Sequence, residues 1–215
     1  MKESTISLLK DILYDGDIRI NEPMSRHTSF KVGGPADAFL TPRTDDQLIA
    51  CIRTLRAEKE RYFIMGNGTN LLVSDAGFRG AVIQLFKNYN DVSVFGNHIT
   101  AKSGALVTRI ANEAAKHNLS GLEFACGIPG TVGGAVTMNA GAYGAEMVKV
   151  VRTVRMLDLK TMSKCEYVSS EMKFSYRHSI VREHPYIVLE VEMELMHGDG
   201  AVIQSRMDDE PTRKS

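Results

Sequence analysis

Between Gly127 and Glu146 the chain reads GIPGTVGGAVTMNAGAYGAE, a stretch that holds six of the 18 glycines. Ala135, Ala140, Ala142 and Ala145 add further small side chains. Such a run leaves the main chain bare, so another group can approach its amides closely. Glycine also opens left-handed conformations that other residues avoid. Diphosphates are the usual guests of such a surface, because turns and helix N-termini aim N–H groups at them. Between Arg109 and Lys149 the only Lys or Arg is Lys116, so an anion bound here would be held by backbone amides. Pro129 and Gly130 fix a turn. Thr131 or Asn139 offers side-chain hydrogen bonds, and Tyr143, between Gly141 and Gly144, offers an aromatic ring to a ligand. Composition alone equally allows a loop that only packs tightly against a neighbouring element.

The rest of the composition narrows the class. At 215 residues the chain is long enough for one or two domains, each with its own core. Lys plus Arg and Asp plus Glu are 26 each, which removes the broad electrostatic case for nucleic acid or an anionic membrane. The cysteines, Cys51, Cys126 and Cys165, are odd in number and widely spaced, so neither a zinc site nor a disulfide framework is expected. A reducing compartment fits this pattern. The first residues lack the apolar core of a signal peptide, and no run approaches the ~20 apolar residues of a membrane span. The expectation is a cytoplasmic protein with no metal.

Taken in order, residues 3–14 carry the apolar period of a helix, and Asn21–Phe30 is a polar stretch without one. Arg26 and His27 in it either contact a ligand or hydrogen-bond a surface turn. A strand is expected over 37–41. Thr44-Asp-Asp-Gln47 is a capping box opening a helix to about Glu60. A short strand, 61–65, runs directly into Gly66-Asn67-Gly68-Thr69-Asn70. A strand feeding a glycine turn is the setting of a phosphate loop. Leu71, however, stands where a dinucleotide fingerprint needs its third glycine, and there is no Walker lysine. Another strand covers 81–86. The polar segment Lys87–Asp91 is a domain boundary. A hairpin follows around Gly96-Asn97, then a helix over 106–117. After the glycine-rich stretch come strands over 150–159, 165–168 and 186–196, and a helix beginning at Ala201. In the 186–196 strand Ile187, Leu189, Val191, Met193 and Leu195 alternate with mostly acidic residues. Spacing thus gives two mixed α/β lobes, 1–86 and 87–200, followed by 201–215. Each lobe carries one glycine-rich turn, and a dinucleotide is expected across their junction.

Four motifs in this order closely resemble the UDP-N-acetylenolpyruvoylglucosamine reductase (MurB) family. They are SRHTSFKVGGPAD from Ser25, MGNGTNLLVSD from Met65, GLEFACGIPGTVGGAVTMNAGAYG from Gly121 and FSYRHS from Phe174. The resemblance runs from about Ser25 to Arg206. It implies an α+β, two-lobed FAD-binding fold of the p-cresol methylhydroxylase/vanillyl-alcohol oxidase type. It also implies a reaction of peptidoglycan precursor synthesis, in which NADPH reduces FAD and UDP-N-acetylglucosamine-enolpyruvate becomes UDP-N-acetylmuramate. Under the resemblance, Gly66, Asn67, Gly68, Thr69 and Asn70 match the first pyrophosphate loop. Gly127, Ile128, Pro129, Gly130, Thr131, Gly133 and Gly134 match the second flavin loop. Asn139, Ala140, Gly141 and Tyr143 match the stretch lining flavin and substrate, and Arg177 matches the catalytic, substrate-binding arginine. The family has a third, C-terminal domain that supplies a proton-donating serine and a glutamate. Against that pattern the chain reads as a truncated form with 201–215 as the start of the linker, a flavin site retained, turnover impaired and self-association through uncovered apolar surface. The competing expectation is a non-catalytic FAD- or nucleotide-binding module of the same fold.

Overall fold

Residues Gly80 to Leu85 are all buried, the pattern of a strand covered on both faces. This strand is the centre of the first of two units, which comprise Met1–Tyr89 and the chain from Asn90 onward. The computed structural model describes residues 1–212; residues 213–215, the end of the 201–215 segment, lie outside that range.

The first unit contains α1 (Glu3–Ile12), β1 (Ile18–Pro23), β2 (Pro35–Leu40), α2 (Asp45–Ala57), β3 (Tyr62–Met65) and β4 (Phe78–Gln84). The sheet order is β1-β2-β4-β3. Strand β4 runs parallel to β2 and β3, and β1 runs antiparallel to β2. Helix α2 starts where the capping box predicts: the Thr44 hydroxyl accepts the Gln47 amide at 3.2 Å. The Gln47 side chain reaches back one residue further than expected, to the amide of Arg43 at 2.9 Å. Leu48, Cys51, Ile52 and Leu55 form its buried face, and α2 packs on α1. Burial pushes the Cys51 thiol up to about 12, so it is inert.

Strand β1 departs from expectation, since Asn21, Glu22 and Pro23 belong to it and not to an irregular polar stretch. Polar side chains mask the strand because Glu22 is buried with partners. His27 Nε2 lies 2.9 Å from its carboxylate and Arg19 Nη1 3.2 Å from it.

The second unit contains β5 (Val92–Phe95), β6 (His98–Lys102), α3 (Val107–Lys116), β7 (Leu119–Ser120), α4 (Val132–Thr137), β8 (Gly141–Ala142), β9 (Ala145–Glu146), β10 (Val151–Asp158), β11 (Ser163–Val168), β12 (Tyr186–Glu194), β13 (Met196–His197) and α5 (Gly200–Thr212). Its main sheet is antiparallel throughout, in the order β11-β10-β12-β6-β5. Strand β12 keeps the predicted alternation only in part. Arg155 pairs Glu190 and Met156 pairs Val188, so β12 bulges at Leu189. Beyond the bulge Val188 joins Val191 and Met193 in the unit's core. The acidic residues on the wet face are matched across the sheet: Glu190 with Arg155 at 2.8 Å and Lys102 at 3.2 Å, and Glu192 with His98 at 3.0 Å. Among the described residues no helix is long and apolar enough to cross a membrane.

Asp17 clasps the first unit. Its buried carboxylate accepts from Arg43 Nε at 2.6 Å, Asn88 Nδ2 at 2.8 Å and Thr41 Oγ1 at 3.3 Å. Its carbonyl accepts the Thr41 amide at 2.9 Å. Burial pushes the carboxyl up, but the hydrogen bonds from Arg43, Asn88 and Thr41, with the Arg43 charge, outweigh it and hold it below the usual carboxylate range. A depressed acid stabilises the fold above its unfolded pKa of ~3.9, and that contribution is lost as pH falls through the folded value. Asp17→Asn is therefore expected to lower stability by about 2 kcal/mol at pH 7. It should also flatten the loss of stability below pH ~4. Urea unfolding of both proteins at pH 7 and pH 3.5 measures this, and equal acid sensitivity in the variant would refute it.

Candidate functional site

In the first unit the sequence delivers a bare turn at the end of a parallel strand, where open α/β sheets place their ligands. β3 stops at Met65, whose carbonyl accepts the Leu85 amide at 3.0 Å. Gly66–Asn70 then turn away. Gly68 has φ +70°, and a Cβ there would stand 2.0 Å from the His27 carbonyl oxygen. No other residue fits that position. The Gly68 carbonyl accepts from the Ser29 amide at 3.2 Å. Among the described residues, the amides of Gly68, Thr69 and Asn70 find no protein acceptor. Amides left without a protein acceptor require water or a ligand. Beside them Arg26, His27, Ser29, Asn67, Gln84 and Lys87 line a cavity of about 320 Å³. His27 is held in place by Glu22 at 2.9 Å and by stacking on Phe39 at 3.9 Å between ring centroids. Burial pushes the Glu22 carboxyl up, but the hydrogen bonds from His27 and Arg19 and their charges hold it below the usual range.

In the second unit the glycine-rich stretch divides into a loop, a short helix and a hairpin. The loop is fastened to the connection between β6 and α3 by main-chain bonds: Val107 N to Gly130 O at 3.0 Å, Val132 N to Ala105 O at 2.8 Å and Gly133 N to Ser103 O at 2.9 Å. Thr131 caps α4 by accepting the Gly134 amide at 3.5 Å. Helix α4 is not legible in the sequence, because Gly133 and Gly134 are poor helix formers. Packing requires the first of them: a Cβ on Gly133 would lie 2.8 Å from the Ser103 Cβ. The amides of Val132, Gly133 and Gly134 are thus used within the protein. Those of Gly127, Gly130 and Thr131 find no acceptor among the described residues. The buried Ser103 hydroxyl is also without a partner.

The segment before the loop is tied down by Glu123. Its carboxylate accepts from Ser120 Oγ at 2.6 Å and from the Gly121 amide at 2.7 Å, and Arg206 on α5 lies 3.7 Å away. Burial pushes this carboxyl up, and the Ser120 and Gly121 hydrogen bonds more than reverse the shift. Sequence reasoning passed over Glu123, although Ser120-x-x-Glu123 has the spacing of a capping box. The Cys126 thiol donates to the Met207 carbonyl, again on α5, at 3.4 Å.

Three of the remaining predicted residues, Asn139, Tyr143 and Arg177, stand in left-handed backbone. Tyr143 (φ 52°) and Gly144 (φ 79°) are the central pair of the β8–β9 hairpin. Left-handed values at both positions are those of a type I′ turn, which favours Asn-Gly over Tyr-Gly. Tyr143 is 36% exposed. Asn139 (φ 41°) is buried, with Ala140 and Gly141 leading from it into the hairpin. Arg177 (φ 54°) is the second central residue of a turn closed by Ser175 and His178, whose amides and carbonyls exchange bonds at 3.2 and 3.1 Å. Its exposed guanidinium lies 5.8 Å over the Tyr176 ring and makes no ion pair among the described residues. Strain of this order, roughly 1–3 kcal/mol per residue, clusters at ligand sites. No three His, Cys, Asp or Glu among the described residues converge as for a metal.

Known proteins share both the fold and the sequence. The FAD binding domain family matches residues 36–163. The UDP-N-acetylenolpyruvoylglucosamine reductase of Caldanaerobacter subterraneus subsp. tengcongensis is 49% identical over 209 residues, covering 97% of this chain and 68% of that protein. The solved MurB of Thermus caldophilus matches with a TM-score of 0.77 at 32% identity, over 92% of this chain and 70% of that one. An alkyldihydroxyacetonephosphate synthase structure matches with a TM-score of 0.67 at 14% identity, over 92% of this chain and 41% of that one, a likeness of fold alone. The fold is the α+β FAD-binding fold of the p-cresol methylhydroxylase/vanillyl-alcohol oxidase type. The chain, which spans about two thirds of the length of these reductases, belongs to the UDP-N-acetylenolpyruvoylglucosamine reductase family.

Proposed function

We propose that this chain carries out FAD-dependent reduction of UDP-N-acetylglucosamine-enolpyruvate to UDP-N-acetylmuramate, with NADPH as reductant, in the cytoplasm. The observation that carries the reading is Arg177, a cation with no ion-pair partner among the described residues, on a left-handed turn in a chain of this family.

The residues present suit FAD. Its diphosphate has two candidate holders, one in each unit: the amides of Gly68, Thr69 and Asn70, and those of Gly127, Gly130 and Thr131, none of which has an acceptor among the described residues. Both are neutral donors fixed by the fold, so they lose little entropy on binding. Gly66, Asn67, Ile128, Pro129, Gly133 and Gly134 shape these loops. Asn139, Ala140, Gly141 and Tyr143 line the flavin and substrate side. When bound, FAD supplies the two-electron relay between NADPH and the enolpyruvyl carbon.

The protein's own part is electrostatic. Reduction of the enolpyruvyl alkene builds enolate charge next to a carboxylate. The Arg177 fork can donate to both groups. Charge stabilisation of this type is commonly the largest catalytic term, about 10²–10³ per donor removed. Ser179 is buried and donates to the Thr137 carbonyl at 2.9 Å, so it is given no proton-transfer role. Self-association is part of the same reading, with open apolar side chains such as Phe95 and Met196 as contact points.

The chain incubated with FAD and desalted is expected to keep its visible flavin bands. Arg177→Met should keep them equally, yet slow UDP-sugar-dependent NADPH oxidation by about 10²–10³. Loss of flavin from the unmutated chain would overturn the cofactor assignment. Equal turnover by the variant would overturn the role of Arg177. Retained flavin with no UDP-sugar-dependent oxidation in either protein would favour the non-catalytic FAD-binding module.

A further inference from the structure

Asn139 does something that its place in the glycine-rich stretch does not reveal. It is 2% exposed, and its side chain is engaged at both ends. Nδ2 donates to Glu146 Oε2 at 2.9 Å and to the Ser175 carbonyl at 3.1 Å, while Oδ1 accepts the Val148 amide at 3.0 Å. Both amide hydrogens are therefore used, and no donor is left for a ligand. Three pieces of chain meet on this one side chain: the β8–β9 hairpin through Glu146, the residues after β9 through Val148, and the Arg177 turn through Ser175.

Local geometry fits this role. Asn139 has φ 41°, a conformation that asparagine tolerates better than most side chains. Gly141 makes room for the arrangement, since a Cβ on it would lie 2.8 Å from Glu146 Cγ and 2.4 Å from the Ala145 carbonyl oxygen. The Arg177 turn has two anchors on the stretch after it, Arg182 Nη1 donating to the Arg177 carbonyl at 3.0 Å and His178 Nε2 lying 2.9 Å from Glu183 Oε1, and Asn139 ties its other end, at Ser175, to the β8–β9 hairpin.

We propose that Asn139 is a positioning residue: through the Ser175 carbonyl it fixes the turn that presents Arg177, and it does not act as a side-chain ligand of the cofactor. The catalytic consequence rests on the Arg177 reading above, but the link itself is testable without substrate or cofactor.

Asn139→Asp keeps the size and the acceptor for Val148, removes both donors and sets a carboxylate against Glu146. That clash could unfold the chain, so the deciding protein is Asn139→Asp with Glu146→Gln. In the double variant the new side-chain amide at position 146 donates to the new carboxylate at position 139. The clash is thereby removed, while the bond to Ser175 stays broken. Hydrogen exchange followed by mass spectrometry on residues 174–179, with Glu146→Gln alone as reference, is expected to speed up by about fivefold or more, the scale of one lost hydrogen bond. Exchange in β10 and β12 should stay as in the reference. Unchanged exchange over 174–179 overturns the proposal. Loss of FAD without faster exchange there overturns it too, in favour of a direct cofactor contact. Faster exchange with unchanged turnover supports the link and counts against the Arg177 assignment alone.

Discussion

The close approach of Gly133 to Ser103 is the constraint on which the second unit's site depends. The Gly133 amide reaches the Ser103 carbonyl at 2.9 Å, and the space that a side chain would need is already filled. Ser103 is itself fixed from the sheet, because its amide donates to the Leu189 carbonyl at 2.9 Å, at the bulge of β12. That bond continues the β12–β6 register, in which Glu190 faces Lys102. Support therefore runs from β12 to Ser103, then to Gly133 and the start of α4, and from the end of α4 to Asn139 and the Arg177 turn. Each step is a hydrogen bond or a short helix, with little freedom between steps.

The two glycine-rich loops solve one problem by different means. The first relies on strand position: it leaves the C-terminal end of parallel β3, where the ladder stops and amides are left over. The second leaves an antiparallel unit, which offers no such row of strand ends. Its free amides arise instead because α4 is drawn onto the β6–α3 connection. That spends the amides of Val132, Gly133 and Gly134 and leaves those of Gly127, Gly130 and Thr131. The Glu123 and Cys126 contacts to α5 hold the approach to this loop from the other side.

The sequence displays elements whose burial follows hydrophobic period and hides those built on polar pairing or close packing. Helix α2, the β5–β6 hairpin and most of β12 are readable because apolar spacing and turn residues agree. Strand β1 is hidden because Glu22 is buried against His27 and Arg19, which breaks the alternation. Helix α4 is hidden because two glycines argue against a helix that tertiary packing imposes. The bulge at Leu189 is invisible because Ile187, Leu189 and Val191 keep the apolar alternation unbroken through it. The motifs mark where the candidate site lies. They do not reveal which amides are already spent, since that depends on Ser103 and Ala105, well upstream in the chain.

A difference in stiffness follows between the two kinds of group at the site. The loop amides are held by the backbone and meet an anion with no side-chain entropy to lose. Arg177 is held at its backbone, by the turn, by Arg182 Nη1 on its carbonyl and by Asn139 on Ser175, while its exposed guanidinium rests over Tyr176 and makes no ion pair among the described residues. Ordering such a side chain costs up to about 2 kcal/mol. An anion that supplies two oxygens to the fork can offset that cost, whereas one offering a single weak contact cannot. The position of the charge is thus set by the fold and its orientation by the ligand. Under the role proposed for Arg177, this arrangement favours a substrate whose carboxylate and developing enolate oxygen engage the guanidinium together over a substrate that carries only one of them.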